Sequence, residues 1–94
     1  MILSGYIQVP SEDITVVIEE LPIHKSLTQK EPGCLVFSVE QIANSGRFDV
    51  YEEFVNQQAF EAHQKRIEGT RWQKVTANTE RVYTVKTVSN ASAK

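Results

Sequence analysis

The sequence predicts an α+β domain with the element order βαββαβ, the ferredoxin-like arrangement of a four-stranded antiparallel sheet with helices on one face. Two observations lead to this fold class. Segments with the two-residue apolar period of a strand alternate with segments that have the 3.6-residue period of a helix. Turn-forming residues separate these segments, at Pro10, Gly33, Gly46 and Gly69.

The first strand is predicted over residues 2–9, where apolar and polar side chains alternate. Ser11 is expected to cap the helix that follows, and apolar residues at helical spacing continue to Leu21. Pro22 has no amide hydrogen, so we expect a kink or a restart of the helix there. His24 lies just beyond, among charged residues, and is expected on the surface.

The next two strands are predicted to form a hairpin around residues 44–46, which have turn-forming chemistry. In the first arm, alternate residues from Leu35 onward are expected on the inner face. In the returning arm, one face carries Phe48, Val50, Glu52 and Phe54. Glu52 therefore places a carboxylate in an otherwise apolar column.

The second helix is predicted between Asn56, which can cap it, and Gly69, which can end it. Its apolar stripe at helical spacing consists of Ala59, Phe60, His63 and Ile67. A short helical turn around Trp72 and a β-branched strand beginning near Val82 complete the predicted order.

Length and composition favour one small globular domain. The chain has 94 residues, and we expect residues 1–88 to form the domain and residues 89–94 a polar tail. The net charge of −2 disfavours a nucleic-acid partner. Cys34 is the only cysteine, and neither a membrane-spanning run nor a signal-peptide pattern is present, so a cytoplasmic location without membrane contact is expected.

Glu52 and His63 are the most informative pair of residues in the chain. A strand and the helix after it usually pack together, so the carboxylate and the imidazole are expected to meet inside the core. Burial of either group alone costs free energy, and a buried pair of this kind suggests a functional site. The alternative is a structural pair that only holds the helix to the sheet.

Three segments, in their order and spacing, resemble the antibiotic biosynthesis monooxygenase family: residues 31–35, 48–54 and 59–63. The resemblance covers nearly the whole chain. It implies a dimeric α+β barrel in which each subunit has the ferredoxin-like fold. It also implies that some members oxidise anthrone-like or quinol-like aromatics with molecular oxygen, without metal or flavin. The family's recurrent glutamate and histidine fall on Glu52 and His63.

Haem-degrading relatives in that family use an asparagine on the first strand, and residues 5–8 contain none. Trp72 lies beyond Gly69 and therefore outside the helix where haem breakdown would require a tryptophan. Haem degradation is therefore disfavoured.

Oxidation of such an aromatic without a cofactor requires a base and a pocket that excludes water. His63 is the expected base, and Glu52 is expected to orient its ring, as a carboxylate does in hydrolase triads. The candidates for contact with substrate are Trp72, Phe60, Phe37, Phe54 and Tyr83. No metal site is expected, because the two histidines show no short ligand spacing.

The predicted function is that of a cofactor-independent monooxygenase that oxidises a small quinol- or anthrone-like aromatic with O2. The open face of the sheet mixes apolar and polar side chains, which favours a homodimer through that face. Two alternatives come from other classes. One is a non-catalytic dimeric module that binds a small molecule, and the other is an isomerase that uses the same Glu/His pair.

Overall fold

Four strands form one antiparallel sheet in the computed structural model, which describes residues 1–87. The strands are β1 (Ile2–Gln8), β2 (Cys34–Gln41), β3 (Arg47–Phe54) and β4 (Glu80–Lys86), in the spatial order β2-β3-β1-β4. The helices are α1 (Ile14–Gln29), α2 (Gln57–Ile67) and α3 (Arg71–Val75). The predicted fold class is confirmed. The predicted tail, residues 89–94, and the last residue of the predicted domain lie outside the described residues.

The inner face of the sheet follows the alternation expected from the sequence. On β3, the four buried residues are Phe48, Val50, Glu52 and Phe54. The register places Leu3 of β1 opposite Glu52, and Ile7 opposite Phe48. These side chains face the helices and, with Val17 of α1, form most of the core. The carboxylate predicted in the apolar column is therefore in the core.

The predicted inner-face position of Leu35 is wrong. The pairing of β2 with β3 shifts register between Cys34 and Val36, so Leu35 occupies a β-bulge and is 60% exposed. A bulge leaves one extra residue unpaired and changes which side chains face the core. The expected alternation returns at Phe37, which is buried.

Helix α1 corrects two further expectations. Ser11 begins a short 3₁₀ turn, Ser11–Asp13, and makes no capping hydrogen bond to the helix. Helix α1 continues through Pro22 without a break. His24 therefore stays in phase with Val17, seven residues earlier, and is buried with only 5% of its surface exposed. The expectation of a surface histidine is wrong for this reason.

The α2 region has the predicted ends. The side chain of Asn56 accepts a hydrogen bond from the amide of Ala59 at 2.8 Å, and Gly69 follows the helix with φ +79°. Thr70 caps α3 by accepting from the amide of Gln73. Within residues 1–87, no helix has both the length and the apolar character needed to cross a membrane.

Gly5 is the position in β1 where a side chain is least tolerable. Its φ is +148°, and a Cβ placed there would lie 2.0 Å from the carbonyl oxygen of Val82 in β4. A residue with a side chain at position 5 would therefore have to push the edge strand β4 away from β1.

We predict that Gly5→Ala lowers the free energy of unfolding by more than about 2 kcal/mol, because backbone strain and a backbone clash add. Gly69→Ala is the matched control. It has a positive φ but nothing within 4 Å of its Cβ, so we expect a loss of about 1 kcal/mol. Urea denaturation followed by circular dichroism measures both. A Gly5 variant no less stable than the Gly69 variant would contradict the prediction.

Candidate active site

His63 of α2 lies between two carboxylates and is 98% buried, with 2% of its surface exposed. Its Nδ1 is 3.0 Å from Oε1 of Glu31, in the turn between α1 and β2. Its Nε2 is 3.8 Å from Oε1 of Glu52 on β3, beyond hydrogen-bond distance. The imidazole therefore has one hydrogen-bonded nitrogen and one nitrogen without such a bond to either carboxylate.

Glu31 is held in place by residues from both long helices. The Nε of Arg66 in α2 donates a hydrogen bond to its carboxylate. The same guanidinium donates from Nη2 to Oγ1 of Thr28, at the end of α1, at 3.0 Å. Since a carboxylate flanked by a cation accepts hydrogen bonds, Nδ1 of His63 is assigned as the protonated nitrogen. In the neutral ring, Nε2 is then the acceptor.

This arrangement corrects the role expected for Glu52. The sequence analysis assigned the orientation of His63 to Glu52, but Glu31 makes the hydrogen bond that orients the ring. Glu31 lies in a turn, where no periodicity indicates which way it faces. Its signal in the sequence is its place in the segment 31–35, which carries part of the family resemblance.

Burial lowers the pKa of His63, and the charge of Arg66 acts in the same direction. The hydrogen bond and negative charge of Glu31 oppose this shift without cancelling it. At neutral pH the ring is therefore neutral, and its Nε2 lone pair is available to accept a proton.

Glu52 is 7% exposed, and its Oε1 has no hydrogen-bond partner among the described residues. Burial raises the pKa of Glu52 to about 7, with a further contribution from the negative charge of Glu31. Both protonation states are therefore populated near neutral pH. A carboxyl group in this condition can exchange a proton with a neighbour at little cost.

A cavity of about 470 Å³ opens beside Glu52 and His63. Its apolar wall consists of Leu3, Ile7, Val39, Val50, Ile67, Trp72 and Ala77. Its polar wall, besides the pair, consists of Gln64, Glu68, Gln73, Arg81 and Tyr83. Two of the five residues predicted to contact substrate, Trp72 and Tyr83, line this cavity.

The other three predicted contacts, Phe37, Phe54 and Phe60, do not line it. Phe54 lies against His63, with ring centroids 5.0 Å apart, and against Phe60 at 5.6 Å. The ring centroids of Phe37 and His63 are 6.3 Å apart. The inner-face alternation of the strands places Phe37 and Phe54 in the core around the imidazole, and Phe60 of α2 packs on Phe54, so these side chains do not form the cavity wall.

His24 is a site residue that the sequence analysis missed. Its ring stacks on Trp72 with centroids 4.4 Å apart and planes 2° from parallel. Burial, together with smaller electrostatic contributions from His63 and Arg66, lowers the pKa of His24 to about 3. The ring is therefore neutral at ordinary pH and holds Trp72 against the cavity. The pattern in the sequence that could have predicted its burial is the spacing of seven residues, about two helical turns, between Val17 and His24.

Within the described part of the chain, no group of three or more histidine, cysteine, aspartate or glutamate side chains is placed to hold a metal ion.

Comparison with protein families finds that the model for antibiotic biosynthesis monooxygenases matches residues 1–75. A comparison with curated proteins finds no match. Several solved structures share the fold.

A candidate antibiotic biosynthesis monooxygenase from Nitrosomonas europaea has a TM-score of 0.73 and 19% identity, over 92% of this chain and 98% of that one. Another from Deinococcus radiodurans has a TM-score of 0.71 and 21% identity, over 95% of each chain. A third, from Bacteroides thetaiotaomicron, has a TM-score of 0.75 and 14% identity, over 95% of this chain and 87% of that one. At these identities the likeness establishes a shared fold.

We predict that Glu52 makes the free energy of unfolding fall as pH rises from 4.5 to about 7. Its pKa is higher in the folded protein than in the unfolded protein, so unfolding releases a proton within this window. A rise in pH therefore favours the unfolded state. Glu52→Gln removes this dependence. The variant should match the wild type near pH 4 and be more stable by about 3 kcal/mol above pH 8.

Urea denaturation at several pH values measures this difference. The shifts of His24 and His63 are common to both proteins, so they largely cancel in the comparison. A difference in the free energy of unfolding between wild type and variant that does not change with pH would contradict the assignment of the raised pKa to Glu52.

Proposed function

The chain belongs to the antibiotic biosynthesis monooxygenase family, and on that premise we propose that it is a cofactor-independent monooxygenase that oxidises a small quinol- or anthrone-like aromatic with O2. One observation carries the proposal. A buried, neutral imidazole is held by Glu31 at one nitrogen, and its other nitrogen lies near Glu52, beside a cavity that both His63 and Glu52 line.

The first step would be removal of a proton from the substrate by Nε2 of His63. For an anthrone, the proton leaves the ring carbon opposite the carbonyl, and the resulting anion is electron-rich. It can transfer one electron to O2, after which the two radicals combine to form a peroxide anion at that carbon, and this anion takes the proton back from the imidazolium to become a hydroperoxide. Loss of water leaves a second carbonyl. One oxygen atom enters the product and the other leaves as water.

Glu31 would stabilise the imidazolium that forms in this step. Its carboxylate already accepts the hydrogen bond from Nδ1, so no rearrangement is needed when the ring becomes positive. Glu52 lies near Nε2 and has a pKa near 7, which suits a group that takes the proton onward. The proposed mechanism therefore uses three side chains, His63, Glu31 and Glu52, where the sequence predicted only the pair of Glu52 and His63.

The cavity suits a flat apolar substrate. Its volume lies within the range of small-molecule sites, and about half of its lining residues are apolar. The indole of Trp72 is held flat by His24 and offers an aromatic surface for the substrate rings. A water-poor wall of this kind also favours electron transfer from an anion, which water would otherwise stabilise.

We predict that His63→Ala lowers the rate of oxygen consumption by about 10²- to 10⁴-fold, because the general base is lost. The assay is an oxygen electrode with metal-free protein and a panel of quinols and anthrones. Lys65→Ala is the control, since Lys65 is on the same helix but is exposed and does not line the cavity. Equal rates for wild type and His63→Ala would remove His63 from the mechanism.

The same panel separates the two alternatives. Substrate conversion under nitrogen would favour an isomerase, because a monooxygenase requires O2. Saturable binding without conversion in air would favour a non-catalytic binding module.

We further propose that two chains associate through the outer face of the sheet. By register, this face carries Tyr6, Val36, Tyr51 and Val82. Three of these are more than one third exposed, and Tyr6 is partly covered by Arg47. An apolar surface of this kind with a charged edge is typical of a dimer interface.

We predict that sedimentation velocity at micromolar concentration gives twice the mass of the chain. Val82→Glu places a charge on the outer face and is expected to shift the protein to monomer. Gln58→Glu, an exposed change on α2, is the control and should leave the mass unchanged. A wild-type protein that sediments as a monomer would contradict the proposed interface.

A further inference from the structure

We propose that Arg81 determines specificity and that the cavity selects an aromatic substrate carrying a carboxylate at the end remote from the reacting carbon. This inference rests on the proposed function for the reaction itself, but the selectivity can be measured without turnover.

The side chain of Arg81 is fixed by neutral acceptors. Its Nη2 donates to Oγ1 of Thr76 at 2.8 Å and to the carbonyl oxygen of Thr76 at 3.2 Å. Its Nη1 donates to the carbonyl oxygen of Thr79 at 3.2 Å. Thr76 is fully buried, so these bonds anchor the guanidinium to a rigid part of the structure. They hold the group without neutralising its charge.

Arg81 differs in this respect from the other arginines of the chain. Arg47 pairs with Asp49, Arg66 with Glu31 and Arg71 with Glu20. Among residues 1–87, no carboxylate lies within ion-pair distance of Arg81. Arg81 is nevertheless part of the cavity lining. A fixed positive charge at a cavity, with no counterion from its own chain, is suited to an anionic ligand.

The sheet register shows where this charge lies relative to the reacting groups. Leu3 of β1 pairs with Glu52 of β3, and Ile7 pairs with Arg81 of β4. The α carbons of Glu52 and Arg81 are therefore separated by two strand spacings and four residues, about 10 Å across and about 13 Å along the sheet. A ligand that spans the cavity can therefore contact Arg81 at one end and Glu52 and His63 at the other.

Tyr83 lies between the two ends. It pairs with Gly5, two residues from both Leu3 and Ile7, and its side chain lines the cavity. Burial and the charge of Glu52 raise the pKa of Tyr83 although the hydrogen bond and charge of Arg81 oppose this shift, so its hydroxyl stays protonated and can donate to a substrate oxygen. A fused-ring carboxylate would then place its acid group at Arg81 and its reactive carbon near His63.

The charge arrangement also disfavours the reverse orientation. A carboxylate beside Glu52 and Glu31 would be repelled and would raise the pKa of Glu52 still further. At Arg81 it meets a cation that needs no reorganisation to bind it. The two ends of the cavity therefore orient an acidic substrate.

The test compares 2-naphthoate with 2-naphthamide, which have nearly the same shape but differ in charge. Isothermal titration calorimetry measures binding of each to wild type, Arg81→Gln and Arg47→Gln. Arg81 is on the exposed strand β4, so its effect is that of a partly screened charge. We expect Arg81→Gln to weaken naphthoate binding about tenfold, which corresponds to about 1.4 kcal/mol, and to leave naphthamide binding unchanged.

Arg47→Gln is the matched control, because Arg47 is an exposed arginine outside the cavity. It should leave the binding of both ligands unchanged. A second measurement needs no variant. Raising the salt concentration from about 50 mM to about 500 mM should weaken wild-type binding of naphthoate and leave that of naphthamide unaffected.

Three results would overturn the proposal. The wild type could fail to bind naphthoate, Arg81→Gln could weaken the binding of naphthoate and naphthamide equally, or the affinity for naphthoate could be independent of salt concentration. The proposed function fails in a different way. Selective binding of naphthoate without oxygen consumption on any substrate of the panel would leave Arg81 as a specificity residue and remove the monooxygenase activity.

Discussion

The hydrogen bond between Nδ1 of His63 and the carboxylate of Glu31 is the interaction on which the rest of the site depends. It joins α2 to the turn after α1, and Arg66 reinforces it through Thr28. It also determines the tautomer of the buried ring. Because Nδ1 carries the proton, the nitrogen nearer to Glu52 is a free acceptor. One contact therefore sets both the packing of the helices and the chemistry available at the cavity.

The burial of two carboxylates around one imidazole has an energetic cost. Glu31 is compensated by Arg66, whereas Glu52 has no lysine or arginine partner among residues 1–87 and instead has its pKa raised to about 7. A glutamine in its place would fill the same volume without that cost. A poorly compensated carboxyl group beside a cavity is typical of functional sites, which supports the proton-transfer role proposed above.

The cavity has two ends with different chemistry. One end contains the titratable side chains of His63 and Glu52. The other end contains the positively charged guanidinium of Arg81, which is anchored by hydrogen bonds to the buried residue Thr76. Trp72, stacked on His24, provides a flat aromatic surface at the cavity. For the reaction proposed above, this polarity would constrain a flat substrate in position and in direction, and such positioning lowers the barrier of a reaction between bound groups.

The sequence by itself determined most of the strand and helix faces, although not those of Leu35 and His24. Alternation on β3 placed Glu52 in the core, helical spacing placed His63 there, and Asn56 and Gly69 marked the ends of the second helix. Periodicity indicates the direction of a side chain but not its partner across the chain. Only the tertiary structure showed that Glu31 binds His63, that α1 continues past Pro22 and buries His24, and that Arg81 lacks a counterion among the described residues. The partners of Glu31 and Arg81 depend on contacts that the local pattern does not encode, and the spacing from Val17 to His24 indicates burial only once α1 is known to continue past Pro22.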